Sequence, residues 1–171
     1  CEVDAADLSG VLLTKARFAR STLIDTWLEG AQASGATFDK CDCSLLRASD
    51  GTLLDRASFR QANLQGARLA RSKARSADFS LANMARADLS EALLAQARLV
   101  GCILRGARFD GAVLVQASLL KSDLYQARFE GAKLASADLR GANLYQAELL
   151  DADLREARTD LANLHGTRLA R

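Results

Sequence analysis

Ala87-Asp88-Leu89-Ser90-Glu91 and Ala142-Asn143-Leu144-Tyr145-Gln146 are two copies of one five-residue unit, and that unit decides the fold. From position 54, every fifth residue through 169 gives 24 sites, of which 22 are Leu, Phe or Met; Ala74 and Thr159 are the exceptions. Two residues before each site stands Ala in 19 of the 24, with Thr52, Ser72, Cys102, Ser122 and Thr167 in the rest. All are small. An α-helix repeats every 3.6 residues and a strand every 2, so neither accounts for a strict five. On a helix a five-residue step turns about 500°, and the leucines would spread over every side. A fixed period instead marks a solenoid. Each pentad is then one short extended side followed by a turn, with the large residue and the small one two before it pointing the same way.

The pattern resembles that of the pentapeptide-repeat family, whose units read A-[DN]-L-x-x, and the resemblance covers nearly all of the chain. It implies an all-β fold, a right-handed quadrilateral parallel β-helix with four pentads to a coil. The central Leu or Phe and the small residue face inward, and the other three face solvent. At twenty residues per coil the 171 residues make about eight coils, and strand-like spacing makes them a rod on the order of 40 Å long.

The twenty-residue coil has independent support. All six Phe occupy central sites and pair at a separation of 20: Phe18 with Phe38, Phe59 with Phe79, Phe109 with Phe129. Residues so spaced stack on one wall in successive coils. Phe38 and Phe59 are 21 apart, so the first part of the chain is out of phase by one residue. The slip falls within 44–53, where Asp50-Gly51 suits a bulged turn. Residues 1–171 are therefore expected to form a single domain with a local irregularity.

Composition narrows the task. Lys and Arg number 23 against 21 Asp and Glu, which gives no overall basic excess of the kind nucleic-acid binding needs. Nucleic acid is not an expected partner. No apolar run is long enough for a membrane span, and no signal segment opens the chain. Proline is absent and aromatics are 5%, so Ala and Leu build the core.

Catalytic machinery is not visible. The one histidine, His165, follows central Leu164 and points outward without convergent partners. No Ser-His-Asp set, phosphate loop or HExxH motif occurs. Cys41 and Cys102 take inward small sites and Cys43 an inward central site; Cys41-Asp42-Cys43 lacks metal spacing, and the three read as reduced core residues. The expectation is a non-enzyme without metal or cofactor. A chain opening on Cys1 implies trimming or excision from a longer protein, a lipid-modified N-terminal Cys being one form of it.

Outward residues fall into columns twenty apart. The residues after Leu104, Leu124, Leu144 and Leu164 are Arg105, Tyr125, Tyr145 and His165, an aromatic strip with a cation at one end that could bind a partner or serve only as a stabilising ladder. Leu93, Val100, Val113, Val115 and Leu120 project outward on two adjoining walls, a candidate partner-binding patch. A third wall interleaves Arg68, Arg71, Arg108, Arg128, Arg168 and Arg171 with as many carboxylates and reads as a solvated salt-bridge ladder. Trp27 is also expected outward.

The first reading of function is a non-catalytic protein-binding or spacer module. The resemblance points to a bacterial domain of a longer effector or secretion-associated protein, cytoplasmic or delivered by a secretion system. The alternative is a self-associating assembly or targeting element, with a homodimer through the C-terminal coil. Third comes a DNA-mimic inhibitor of DNA gyrase, disfavoured because no wall is continuously acidic. The inward pattern makes a direct prediction: Ala107→Leu overpacks a channel without slack and lowers stability by about 1–3 kcal/mol, readable as a fall in Tm.

Overall fold

In the computed structural model, residues 2–169 are described; Cys1, Ala170 and Arg171 lie outside the described residues. Parallel bridges join each side of the chain to the side one coil later, and they form four ladders. Wall 1 runs from Glu2 through Asp42, Asn83 and Asp123 to Asn163. Wall 2 starts at Asp7 and Trp27, wall 3 at Leu12 and wall 4 at Arg17. The chain is thus a four-walled β-helix in which almost every rung is one residue wide. Only at the last rung of wall 2 do consecutive residues pair, as β1 (Glu148–Leu149) against β2 (Arg168–Leu169) in parallel register.

The rungs are short because a turn follows every central residue. The N–H of the next small residue returns to the central carbonyl, as from Ala62 to Phe59 at 3.1 Å. The second turn residue has φ between 50° and 69° throughout the described residues, the left-handed region of a type II-like turn. Ten of the 11 glycines occupy this position, and Gly51 follows it. Elsewhere it is filled by residues such as Lys15, Leu81 and Glu156, each at a cost of roughly 1–2 kcal/mol. What offsets that cost is the backbone ladder: the central N–H donates up to the next coil (Phe59 to Asp78 O, 2.7 Å), and the outward N–H donates down to the previous one (Asp78 to Ala57 O, 2.9 Å).

Inside, the walls close on a solid core. Leu64, Met84, Phe109 and Leu134 are fully buried beside Ala62, Ala82, Ala107 and Ala132. Phe18, Phe38, Phe59 and Phe79 make one continuous stack on wall 4, with centroids 5.1, 4.6 and 5.2 Å apart and planes within 9°. Phe109 and Phe129 repeat the arrangement on wall 2 at 4.8 Å.

The Phe stack passes through the phase slip without a break. The extra residue lies in the turn Ser49-Asp50-Gly51, where Asp50 and Gly51 both take positive φ. Below it the ladders step by 20 and above it again by 20, with Gln32 bridged to Leu53 across it. The bulge moves the Ser49 carbonyl away from the Gly30 N–H, its partner in a regular coil. Thr52 repairs the gap. Its buried hydroxyl accepts from the Gly30 N–H at 3.1 Å and lies 2.6 Å from Ser49 O and 2.9 Å from Leu28 O, to which its proton can be given.

Thr52 exploits a general rule of this core. From Thr26 onward, where the small site is not Ala but carries a hydroxyl or thiol, that group can donate to the central carbonyl one coil below: Thr26 to Val3 (2.7 Å), Cys41 to Phe18 (2.7 Å), Cys102 to Phe79 (2.9 Å), Ser122 to Leu99, and Thr167 to Leu144 (3.1 Å). Ser72, one coil above the bulge, is the buried exception whose Oγ has no partner. Thr52→Val keeps the shape and removes the hydroxyl, leaving the Gly30 N–H unpaired. The expected cost is about 1–3 kcal/mol in urea unfolding, whereas Cys102→Ala, which restores the commonest small residue and leaves the Phe79 carbonyl its bond from the Ala82 N–H at 2.9 Å, should be close to neutral.

Candidate functional site

No charged side chain among the described residues is buried, so the candidate sites are columns on walls. Wall 1 is built on an amide ladder. Asn63 Nδ2 donates to Asp42 at 2.9 Å, Asn83 to Asn63 at 3.3 Å, Asn143 to Asp123 at 3.0 Å and Asn163 to Asn143 at 3.1 Å. Each side-chain oxygen also accepts the N–H two residues on, which fixes the turn that follows, as from Tyr145 to Asn143 at 3.3 Å and from His165 to Asn163 at 3.1 Å. Ile103 interrupts this ladder and is 47% exposed.

On that frame the aromatic strip is assembled. Tyr125 and Tyr145 stack at 5.8 Å, and Tyr145 and His165 at 5.4 Å, with planes within 12°. The facing ring surfaces are therefore occupied by one another, and the rings offer their edges outward. Arg105 does not cap the stack. Its Nε is held by the Asp123 carboxylate at 2.5 Å. The cation–π contact of the described chain is on wall 2, where the Arg47 guanidinium lies 4.6 Å from the Trp27 ring centre and is braced by Asp25 at 2.9 Å. Trp27 itself stays 42% exposed.

Wall 2 carries the charge ladder. Arg108 meets Asp110 at 3.3 Å, Arg128 bridges Asp110 and Glu148 at 3.5 Å each, and Arg168 returns to Glu148 at 3.4 Å. Arg71 joins Asp50; Arg171 lies outside the described residues. The arginines are roughly half exposed, so each pair adds little to stability. Carboxylates elsewhere are held low in the same way. The Arg140 hydrogen bond lowers Asp138, and the Arg155 hydrogen bond holds Asp153 down at about 2. Such groups favour the fold above the ordinary carboxylate pKa and lose that contribution as pH falls through their folded values.

The cysteines are interior. Cys41, Cys43 and Cys102 are free and buried. Burial pushes Cys102 up to about 12, and the hydrogen bond shared with Cys41, together with burial, raises Cys43. Among the described residues no group of three or more His, Cys, Asp or Glu is placed to hold a metal ion.

Leu93, Val100, Val113, Val115 and Leu120 lie half-buried on walls 3 and 4 and the corners beside them. One residue missed in the sequence belongs with them. Leu81, in the left-handed turn position, is 54% exposed and lies across Gly101, where a Cβ would come within 2.9 Å of its Cδ2. The Leu81–Gly101 pairing at a separation of twenty was the available signal.

The family model for pentapeptide repeats matches in 8 copies, over residues 4–39, 52–90, 82–119 and 122–158. The chain belongs to the pentapeptide-repeat family. Among solved structures it is similar to a trypsin-treated form of QnrB1, a plasmid-mediated fluoroquinolone resistance protein, at 18% identity and a TM-score of 0.80, covering 98% of this chain and 82% of that one. It is also similar to HetL, a pentapeptide repeat protein involved in heterocyst differentiation regulation from the cyanobacterium Nostoc sp. strain PCC 7120. That match is 27% identical with a TM-score of 0.47, over 97% of this chain and 88% of that one. No curated protein matches the sequence. No helix among the described residues is long and apolar enough to cross a membrane.

The interrupted amide ladder yields a test. Ile103→Asn should extend the lower half of wall 1 of this pentapeptide-repeat chain by one rung, its Nδ2 donating to Asn83 Oδ1, while the Asp123 carboxylate, which has no proton to give the new amide oxygen, keeps the two halves apart. The expected gain is about 0.5–1.5 kcal/mol per bond formed, seen as a higher urea midpoint at unchanged m.

Proposed function

We propose that this pentapeptide-repeat chain is a non-catalytic docking rod, a right-handed quadrilateral β-helix whose outer walls bind a protein partner. The observation that carries the reading is the gathering of Leu81, Leu93, Val100, Val113, Val115 and Leu120 onto walls 3 and 4 of the middle coils. Clustered apolar side chains on an otherwise polar surface mark interaction sites. Flat β walls over a filled core keep such a patch rigid, so little ordering entropy opposes binding. The partner is a protein presenting a complementary apolar ridge. The stacked Tyr125, Tyr145 and His165 serve this reading as a brace for the rod, since their faces are taken up by one another.

Self-association is the second reading, and a specific feature favours it. In the last described coil Leu164 and Leu169 are 42% and 54% exposed, and with Leu154 they line a hollow of about 210 Å³ at the end of the core. A second copy meeting that coil would form a homodimer. Inhibition of gyrase by DNA mimicry ranks third, because wall 2 alternates in sign.

Two surface substitutions separate the first two. Leu120→Asp should leave Tm within a degree or two, since it is a surface change, and abolish capture of the partner. Leu169→Asp should leave capture intact and change only the solution mass by light scattering. A chain that stays monomeric over a wide concentration range, with Leu169→Asp silent, removes the self-association reading. Capture unaffected by Leu120→Asp removes the apolar-patch reading.

A further inference from the structure

The net charge of +2 conceals a separation of charge across the rod. In the first five coils, residues 2–100, walls 1 and 2 carry nine carboxylates against four arginines. Walls 3 and 4 carry nine Lys or Arg against three Asp. One side is therefore acidic and the opposite side basic. In the later coils, residues 101–169, each side is balanced to within one charge. The first 53 residues, −3 when summed by stretch, divide into an acidic side holding Glu2, Asp4, Asp7 and Glu29 and a basic side holding Lys15, Arg17, Arg20 and Lys40.

The basic side has a groove. At the corner between walls 3 and 4 a hollow of about 500 Å³ runs along the rod, lined by Lys15, Ser34, Arg56, Arg75, Ser76 and Gln96. Its one carboxylate, Asp55, is already engaged. It accepts the Arg75 N–H at 2.7 Å and pairs with the Arg75 guanidinium at 3.6 Å. Lys15 and Arg56 are exposed and make no ion pair among the described residues. Gly35 in the groove floor has φ +67° and lies under the Lys15 stem, which keeps the floor low. Four coil steps make the groove about 19 Å long, the span of about six extended residues.

We infer that this groove docks an acidic, extended segment of the partner protein. The inference rests on the docking-rod reading and names the chemistry of its partner. Charge complementarity selects an anion. Ser76 donates to Gln96 at 3.4 Å and Gln96 to Gln116 at 3.2 Å, which leaves the Ser34 hydroxyl to meet a peptide group, and none of the lining residues is aromatic, so the stacking platforms of single-stranded nucleic-acid sites are missing. The basic groove and the apolar patch occupy the same two walls in succession, so one partner can follow both.

The test uses the full chain and a fluorescent hexaglutamate peptide, titrated at low and at moderate salt, with a 12-base-pair DNA duplex in parallel. Hexaglutamate should bind at low salt and weaken about tenfold or more on raising salt severalfold, as an exposed electrostatic contact must. Lys15→Glu with Arg56→Glu should reduce binding by about tenfold or more. Lys121→Glu with Lys133→Glu, in the balanced half, should not. Absence of binding at low salt, or binding indifferent to the Lys15 and Arg56 reversals, overturns the inference. Tighter, equally groove-dependent binding of the duplex overturns the choice of a peptide. Leu120→Asp should leave hexaglutamate binding unchanged, so a failure of the groove and a failure of the apolar patch are read separately.

Discussion

The ladder of backbone hydrogen bonds between coils is the constraint from which the rest of the structure follows. Each wall must rise by one strand spacing per coil, and each coil must turn four corners, so every side has room for one large and one small inward residue. Ala at the small site is a consequence of the corner, because the turn brings the central carbonyl and the next N–H together over it, as Ala62 and Phe59 show. Positive φ at the second turn residue is the accompanying cost, accepted at Lys15, Leu81 and many others as well as at glycine. A hydroxyl or thiol at the small site is tolerated for the same geometrical reason. A central carbonyl lies one coil below, within reach of Thr26, Cys102 or Thr167.

That constraint explains why so much of the fold was legible. A period of five with a large and a small residue in fixed relation leaves no helix or ordinary sheet to weigh, and the Phe spacing of 20 reports the coil directly. The slip between Phe38 and Phe59 was legible too, but its repair was not. Thr52 reads as one more small residue until the bulge displaces the Ser49 carbonyl from Gly30 and the hydroxyl becomes the replacement partner. The amide ladder of wall 1 was present in the sequence as Asn and Asp at intervals of twenty. Identity alone does not reveal it, because an Asn or Asp oxygen that accepts from its own turn must also be placed to accept from the amide one coil above.

The candidate sites were less legible because orientation, not identity, decides them. The spacing placed Tyr125, Tyr145 and His165 in one column. Only the ring planes show that the stack consumes its own faces and that Arg105 turns to Asp123. Leu81 was overlooked because it falls at a turn position where a polar residue or glycine is usual. Its exposure follows from the glycine above it, which lets the side chain lie flat along the corner.

Charge shows the same effect on a larger scale. Summing along the chain mixes the walls, since each coil visits all four, and a side-to-side separation cancels in any window that spans a whole coil of twenty residues. Summing along walls over the whole rod mixes the ends, and the balanced coils beyond residue 100 dilute the first five. The separation emerges only when both coordinates are kept, wall and height. In a solenoid those are the coordinates a partner encounters. A segment lying along walls 3 and 4 meets Lys15, Arg56 and Arg75 and then Val100, Val113 and Leu120, in that order, on a surface that the backbone ladder holds rigid. The order of chemistry along a wall is therefore what a rod of this kind has available for selecting a partner.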